Sequence, residues 1–357
     1  MNGDGATGEP DAETGREDAR ADARADAACE RGRGDATAAT YAAPARSRTA
    51  PGVPLSERPF TPYDALLYAL TVLAWSASWY ALKINAAGEV SPPVAITWRF
   101  ALAAAIMFAW VAFAGGRLRF GRRWHGAFAA LGVLIFSSNF ILFYYASTLL
   151  VSGLLAVVFS LASIVNLALG TLRGDLAELR RWLGAVLGAS GIALLYWPEL
   201  ARGAPGAIGL ALCVGGTLSF CLGNLVSQRL QAAAVPVLSA SAWGMAYGAA
   251  WSAAVAAVAG LPFVVDTSAP FVGSLLFLVL VSTILAFWAY LTLVGRIGAG
   301  RAAYATVMFP IVALAISTRV EGYLWNASSI GGIALALLGN LFVLRGGRSR
   351  ATARRGR

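Results

Sequence analysis

From Tyr63 to Arg345 the chain is a succession of apolar runs, each long enough to cross a bilayer, separated by short gaps that hold most of the charge. A membrane-crossing helix needs about 20 predominantly apolar residues, whereas a barrel strand needs only about 9–11 in alternation. Run length therefore predicts helices. Ten are expected, at about 63–85, 93–115, 125–147, 150–172, 181–198, 205–227, 237–261, 271–294, 299–319 and 327–345. Composition agrees, with 58% of residues hydrophobic and 13% charged, where a soluble domain carries about 25% charged residues. The expected fold class is all-α, a polytopic membrane protein.

The flanks read differently. Residues 1–59 form a low-complexity stretch rich in Ala, Asp and Arg, with a net charge of −3. Such a stretch cannot bury a core, so a disordered tail is expected, and it lacks the apolar h-region of a secretory signal. The remaining chain carries +13. Its arginines cluster in alternate gaps: Arg117, Arg119, Arg122 and Arg123; Arg173, Arg180 and Arg181; Arg229; Arg296 and Arg301; and the 346–357 tail. The intervening gaps hold only Lys83, Arg202 and Arg319. The positive-inside rule then places both termini in the cytoplasm. Basic residues so placed point to the lipid bilayer as partner and not to nucleic acid. Arginine supplies 27 of the 28 basic residues, a bias typical of GC-rich bacteria, so a bacterial inner membrane is expected.

Two stretches repeat. "SGLLAVVFSLASIVNLALG" (152–170) runs into a glycine-rich span, and "AGRAAYATVMFPIVALAIS" (299–317) runs into another. Gly153 aligns with Gly300, and Gly184 and Gly191 align with Gly332 and Gly339 after one inserted residue. An acid precedes each terminal span: Asp175 or Glu178 in one, Glu321 in the other. Five spans per half invert the second half, the arrangement found in many secondary transporters. The expected halves are residues 60–198 and 199–345.

At these residues the chain resembles the drug/metabolite transporter superfamily, in its ten-span form with two EamA-type repeats. The stretches that carry the likeness are "LAWSASWYALKINAAGEVSPPVAITWRFALAA", "FYYASTLLVSGLLAVVFSL", "VGRIGAGRAAYATVMFPIVALAIS" and "EGYLWNASSIGGIALALLGN". Trp75-Ser76, Lys83, Pro93 and Arg99-Phe100 stand in the family's order. The chain departs from the pattern at Ser163, where many members have proline, and at Asp175, where glutamate is usual. The resemblance implies an alternating-access carrier, usually an exporter of amino acids or small metabolites. An importer is the alternative within the class, and a membrane enzyme or scaffold the alternative outside it.

Arg99 is the most unusual residue, a permanent charge seven positions into an apolar run. Such a charge costs about 2.5–3.5 kcal/mol at mid-bilayer on insertion scales. A shallow arginine can instead snorkel outward or pair with Glu89, or it can attract a solute carboxylate at the outer mouth of a cavity. Lys83 falls on the same side, where it either snorkels or, close to Arg99, shares a solute anion. The acids Asp64, Glu89, Asp175, Glu178, Glu199, Asp266 and Glu321 all fall at span ends or in gaps, which argues against a buried proton relay and for facilitated or weakly coupled movement. His125 is expected at an interface.

For the solute site itself, polar and aromatic residues within spans are the candidates: Trp79, Asn139, Tyr144, Ser160, Asn166, Asn224, Trp243, Tyr247, Trp288, Tyr290 and Tyr304, with Lys83 and Arg99. The alternatives are interhelical hydrogen bonding and the interfacial aromatic belt. Pro310 should bend the ninth span, because proline removes a backbone donor. The G-x-x-x-G spacing of Gly184 and Gly188 suits close helix packing, or a homodimer face. No P-loop, H-E-x-x-H or G-x-S-x-G motif is present, and Cys29, Cys213 and Cys221 have no metal-ligand spacing, so neither cofactor nor metal is expected.

Overall fold

The computed structural model describes residues 60–172, 178–201, 203–297, 299–302 and 304–345. The expected N-terminal tail 1–59, Asp175 and the tail 346–357 lie outside them. Among the described residues all regular structure is helical. The helices are α1 (Pro62–Ala86), α2 (Pro92–Phe113), α3 (Arg122–Leu149), α4 (Ser152–Leu172), α5 (Leu179–Ala201), α6 (Ala204–Ala232), α7 (Val237–Val258), α8 (Ala269–Ile297), α9 (Ala305–Val320, preceded by one turn at Ala299–Ala302) and α10 (Ala327–Arg345). Seven of these are both long and apolar enough to cross a membrane: α1 to α6 and α8.

Local signals set the starts. Thr61 caps α1: its hydroxyl accepts from the Asp64 amide, and the Asp64 carboxylate accepts from the Thr61 amide, a reciprocal capping box. Prolines occupy the first turns of α1, α2, α6 and α8, where the missing N–H costs nothing.

Three helices are irregular. α3 and α8 each contain a π stretch, Gly132–Ser138 and Phe277–Leu285, in which the Thr283 hydroxyl donates to the Leu278 carbonyl at 2.8 Å. α4 breaks at Ser160–Leu161 between helices Ser152–Phe159 and Ala162–Leu172, an interruption not signalled by its composition. Pro310, read from sequence as a bend in the ninth span, lies inside the helix Ala305–Val320.

The tightest seam is α5 against α10. A β-carbon on Gly191 would lie 2.4 Å from the Ala336 amide nitrogen and 2.5 Å from the Gly332 carbonyl oxygen. One on Gly339 would lie 2.3 Å from the Gly188 nitrogen. Gly184 meets Gly339 while Gly191 meets Gly332, so the two helices cross antiparallel, main chain on main chain. The G-x-x-x-G face is thus consumed within the chain. Elsewhere α2 packs along α7, α3 along α6 and α7, and α9 against α1 and α4.

Candidate functional site

The ends of the helices differ in how they are closed. Where α1 ends and α4 begins, Lys83 Nζ lies 2.7 Å from Glu321 Oε1 and donates to the Leu150 carbonyl at 3.3 Å. Glu321 follows the last turn of α9 and accepts from the Ser152 amide (3.0 and 3.1 Å), from the Ser152 hydroxyl, and from the Ser317 hydroxyl at 2.7 Å. One carboxylate therefore neutralises a lysine, caps the positive end of α4 and ties α9 to α1. Burial works to raise the Glu321 pKa, but the Lys83 and Ser152 hydrogen bonds outweigh it and hold the carboxyl below the usual glutamate value. The snorkelling lysine expected from sequence is thus corrected: Lys83 has a fixed partner across the fold.

Near the same end lies Arg99, only 4% exposed. The Glu89 pairing and the outward snorkel both fail here. Glu89 is exposed, and no carboxylate among the described residues lies within ion-pair distance of Arg99. Its guanidinium sits 4.4 Å from the Phe140 ring centroid and 5.0 Å from that of Phe100, and it faces the Tyr144 hydroxyl. Its Nε and Nη1 have no hydrogen-bond partner. Cation–π contacts contribute about 0.5–2 kcal/mol, whereas each buried unsatisfied donor costs about 1–3 kcal/mol and more if charged. Compensation is therefore incomplete.

From Arg99 a hydrogen-bond relay crosses the helices. The Tyr144 hydroxyl donates to Asn85 Oδ1 at 3.1 Å, and Asn85 Nδ2 donates to Ser274 Oγ at 3.1 Å and to the Phe271 carbonyl at 3.3 Å. It joins α2, α3, α1 and α8. Asn85 was not singled out from sequence, because nothing local separates it from any other helix-end asparagine.

An aromatic column fills the interior below this layer. Trp79 packs on Phe143 and Phe159, and Phe159 on Phe220 and Phe309, with ring centroids 4.8–6.2 Å apart. It draws on α1, α3, α4, α6 and α9. Beside it the Ser76 hydroxyl donates to the Phe309 carbonyl at 3.0 Å, just before Pro310. Ser160 stands at the break in α4, where its hydroxyl donates back to the Val157 carbonyl.

At the opposite end α3 and α7 are sealed by aromatic rings. His125 Nε2 contacts the Phe120 carbonyl at 3.3 Å and Nδ1 the Tyr247 hydroxyl at 2.9 Å. A carbonyl only accepts, so Nε2 carries the proton and Nδ1 accepts from Tyr247 in the neutral ring. Trp243 packs edge-on to His125 at 4.7 Å and to Phe108 at 5.1 Å, and donates to the Leu118 carbonyl. These residues close an interface; they do not line an open pocket.

A shallow groove of about 360 Å³ between α2 and α8 is lined by Trp110, Leu280, Ile284, Leu285 and Trp288. Asp64 and Arg296, 2.5 Å apart, bind α1 to α8 beyond it. Of the remaining candidates, Tyr290 packs on Trp75 at 5.1 Å, and Tyr304 precedes α9. Asn139 donates to the Ile135 carbonyl and leaves its Oδ1 unpartnered. Asn166 Oδ1 is also buried without a partner, and Asn224 is half-buried on α6. The structure therefore brings Trp79, Lys83, Arg99 and Tyr144 into one half of the interior and disperses the rest.

Residues 63–197, covering α1 to α4 and nearly all of α5, match the EamA-like transporter family. They form an EamA-like transporter domain. The EamA-like domain thus contains Lys83, Arg99, Tyr144 and His125, while Glu321, Ser274 and Tyr247 come from the chain that follows it. Comparison with curated proteins gives no match. A solved structure described as "Crystal structure of protein" is similar over 80% of this chain and 98% of its own, with 18% identity and a TM-score of 0.56. That likeness shows a shared fold. Long apolar helices and an EamA-like domain make this an integral membrane protein.

Proposed function

We propose that the protein is a secondary transporter of the bacterial inner membrane that exports a small amino-acid-like or amphipathic solute by alternating access. It spans the membrane ten times in two inverted five-helix repeats, with both termini in the cytoplasm. The observation that carries this reading is the buried polar layer at one end, where Lys83–Glu321 and Asn85–Ser274 tie α1 to α9 and α8 beside the buried, ion-unpaired Arg99. The repeat has independent support. The offset of 147 residues that aligns Gly153 with Gly300 carries the first π stretch, 132–138, onto 279–285, inside the second. The same two-fold relation exchanges the Gly184–Gly339 contact with Gly332–Gly191. π stretches hold unshared backbone geometry and recur at functional sites.

Flux tests the reading directly. Purified protein in liposomes should accelerate release of one member of a panel of amino acids and cationic dyes, with the solute recovered chemically unchanged. Chemical conversion of the solute would identify an enzyme instead. Orientation is tested with introduced cysteines in a Cys29→Ser background, since Cys213 and Cys221 are buried. A membrane-impermeant maleimide applied to intact cells stripped of outer membrane should label Val265→Cys and leave Arg117→Cys unlabelled. The reverse pattern would invert the topology.

A further inference from the structure

At two helix ends buried charge is matched: Asp64 faces Arg296 and Glu321 faces Lys83. Arg99, 4% exposed, has no carboxylate within ion-pair distance among the described residues. Tyr144 occupies one side of the guanidinium, and Nε and Nη1 remain open to a further acceptor. Around them stand Phe100 and Phe140, with Phe136 5.4 Å from Phe100. The arrangement is one unmatched positive charge set in an apolar, aromatic wall. Its complement is a single negative charge on an apolar body.

We propose that Arg99 is the recognition point for the solute, and that the solute is a monocarboxylate with an apolar or aromatic body. The inference rests on the carrier reading above and adds the charge class of the cargo. Lys83 does not compete for this role, because Glu321 already neutralises it. A dianion such as a phosphate monoester would leave one negative charge unmatched at Arg99, so a single carboxylate fits better. The carboxylate accepts from the free guanidinium N–H groups, and the rings of Phe100, Phe136 and Phe140 cover the solute's body. Tyr144 is a positioning residue: it holds the guanidinium on one side and reaches α8 through Asn85 and Ser274. Access comes when the Lys83–Glu321 closure opens.

The test uses the full chain purified in detergent, with phenylacetate, phenylacetamide and phenylphosphonate as probes that share a ring and differ in charge. Phenylacetate should raise the unfolding temperature saturably, at a concentration about tenfold or more below that required of phenylacetamide, the difference a charge-assisted hydrogen bond supplies. Phenylphosphonate should be weaker than phenylacetate. Arg99→Gln should remove the preference for the carboxylate over the amide, and Arg99→Lys should keep part of it. Equal responses to the acid and the amide, no response to phenylacetate, or an unchanged preference in Arg99→Gln would each overturn the proposal. The comparison of the three probes on the unsubstituted protein decides the matter even if neither Arg99 variant folds. A carrier that moves neutral or cationic solutes in the liposome assay would fail here while the carrier reading stood, so the two failures are distinct.

Discussion

Replacing Gly191 with alanine is expected to lower the unfolding temperature of the detergent-purified protein by roughly 6–12 °C, as a cost of about 3 kcal/mol would. The added methyl group would lie 2.4 Å from a main-chain nitrogen and 2.5 Å from a main-chain oxygen of α10. Backbone atoms in a packed helix cannot rotate away as the end of a side chain can, so the helices must separate. Separation then loosens the Gly184–Gly339 contact further along the seam. Gly273, which a β-carbon would leave with nothing within 4 Å, provides the control. Gly273→Ala should leave stability unchanged or raise it by up to about 1 kcal/mol through helix propensity. Equal effects at the two positions would show that α5 and α10 do not meet as described.

The second large effect lies at Glu321, where the two partners of one ion pair are not equivalent. Glu321→Gln should destabilise the protein by about 1–3 kcal/mol, the cost of weakening the buried hydrogen bonds at Ser152 and Ser317. It strands Lys83 with only the Leu150 carbonyl and weakens the cap on α4. Lys83→Met should cost less, because the carboxylate keeps the Ser152 amide and the hydroxyls of Ser152 and Ser317. Thermal unfolding of the two variants checks the order, and an equal or reversed order would remove the capping argument. The pH dependence follows from the lowered pKa. A depressed carboxyl pKa gives stability that is complete above the ordinary value of 4.5. That stability is lost only as the pH falls through the folded-state value below it. Unfolding temperatures of the parent protein minus those of Glu321→Gln should therefore be constant from neutral pH down to about pH 5.5 and shrink only in stronger acid. Mild acid does not open this end.

Much of the fold was legible because lipid permits so few alternatives. The run expected at 93–115 is the helix Pro92–Phe113, and that at 237–261 is Val237–Val258. Where the expectation fell short, hydropathy was a poor guide to the helix end. α6 continues to Ala232 through Ser227, Gln228 and Arg229, since polar residues of good helix propensity extend a helix beyond the apolar core. The break in α4 at Ser160–Leu161 has no local proline or glycine to announce it. The site was less legible for the same reason. Lys83 and Glu321 each look like ordinary interfacial residues until folding brings α1 and α9 together. Burial was the missing information at Arg99: its place in the run gives no sign of α3, which covers it with Phe140 and Tyr144. Trp243 and Tyr247 were read as cavity lining because they are distant from span ends, but His125 on the neighbouring helix takes them as partners.

The α5–α10 seam has a mechanical consequence. Contact made by side chains can be remade in a second arrangement through a change of rotamer, but at Gly191 and Gly332 there is no side chain to turn. Sliding one helix past the other would drive carbonyl oxygens into amide nitrogens. In the proposed carrier this pair would be the stator. Displacement would then fall to the helices whose backbone already departs from the α-form, α3 and α8 at their π stretches and α4 at Ser160.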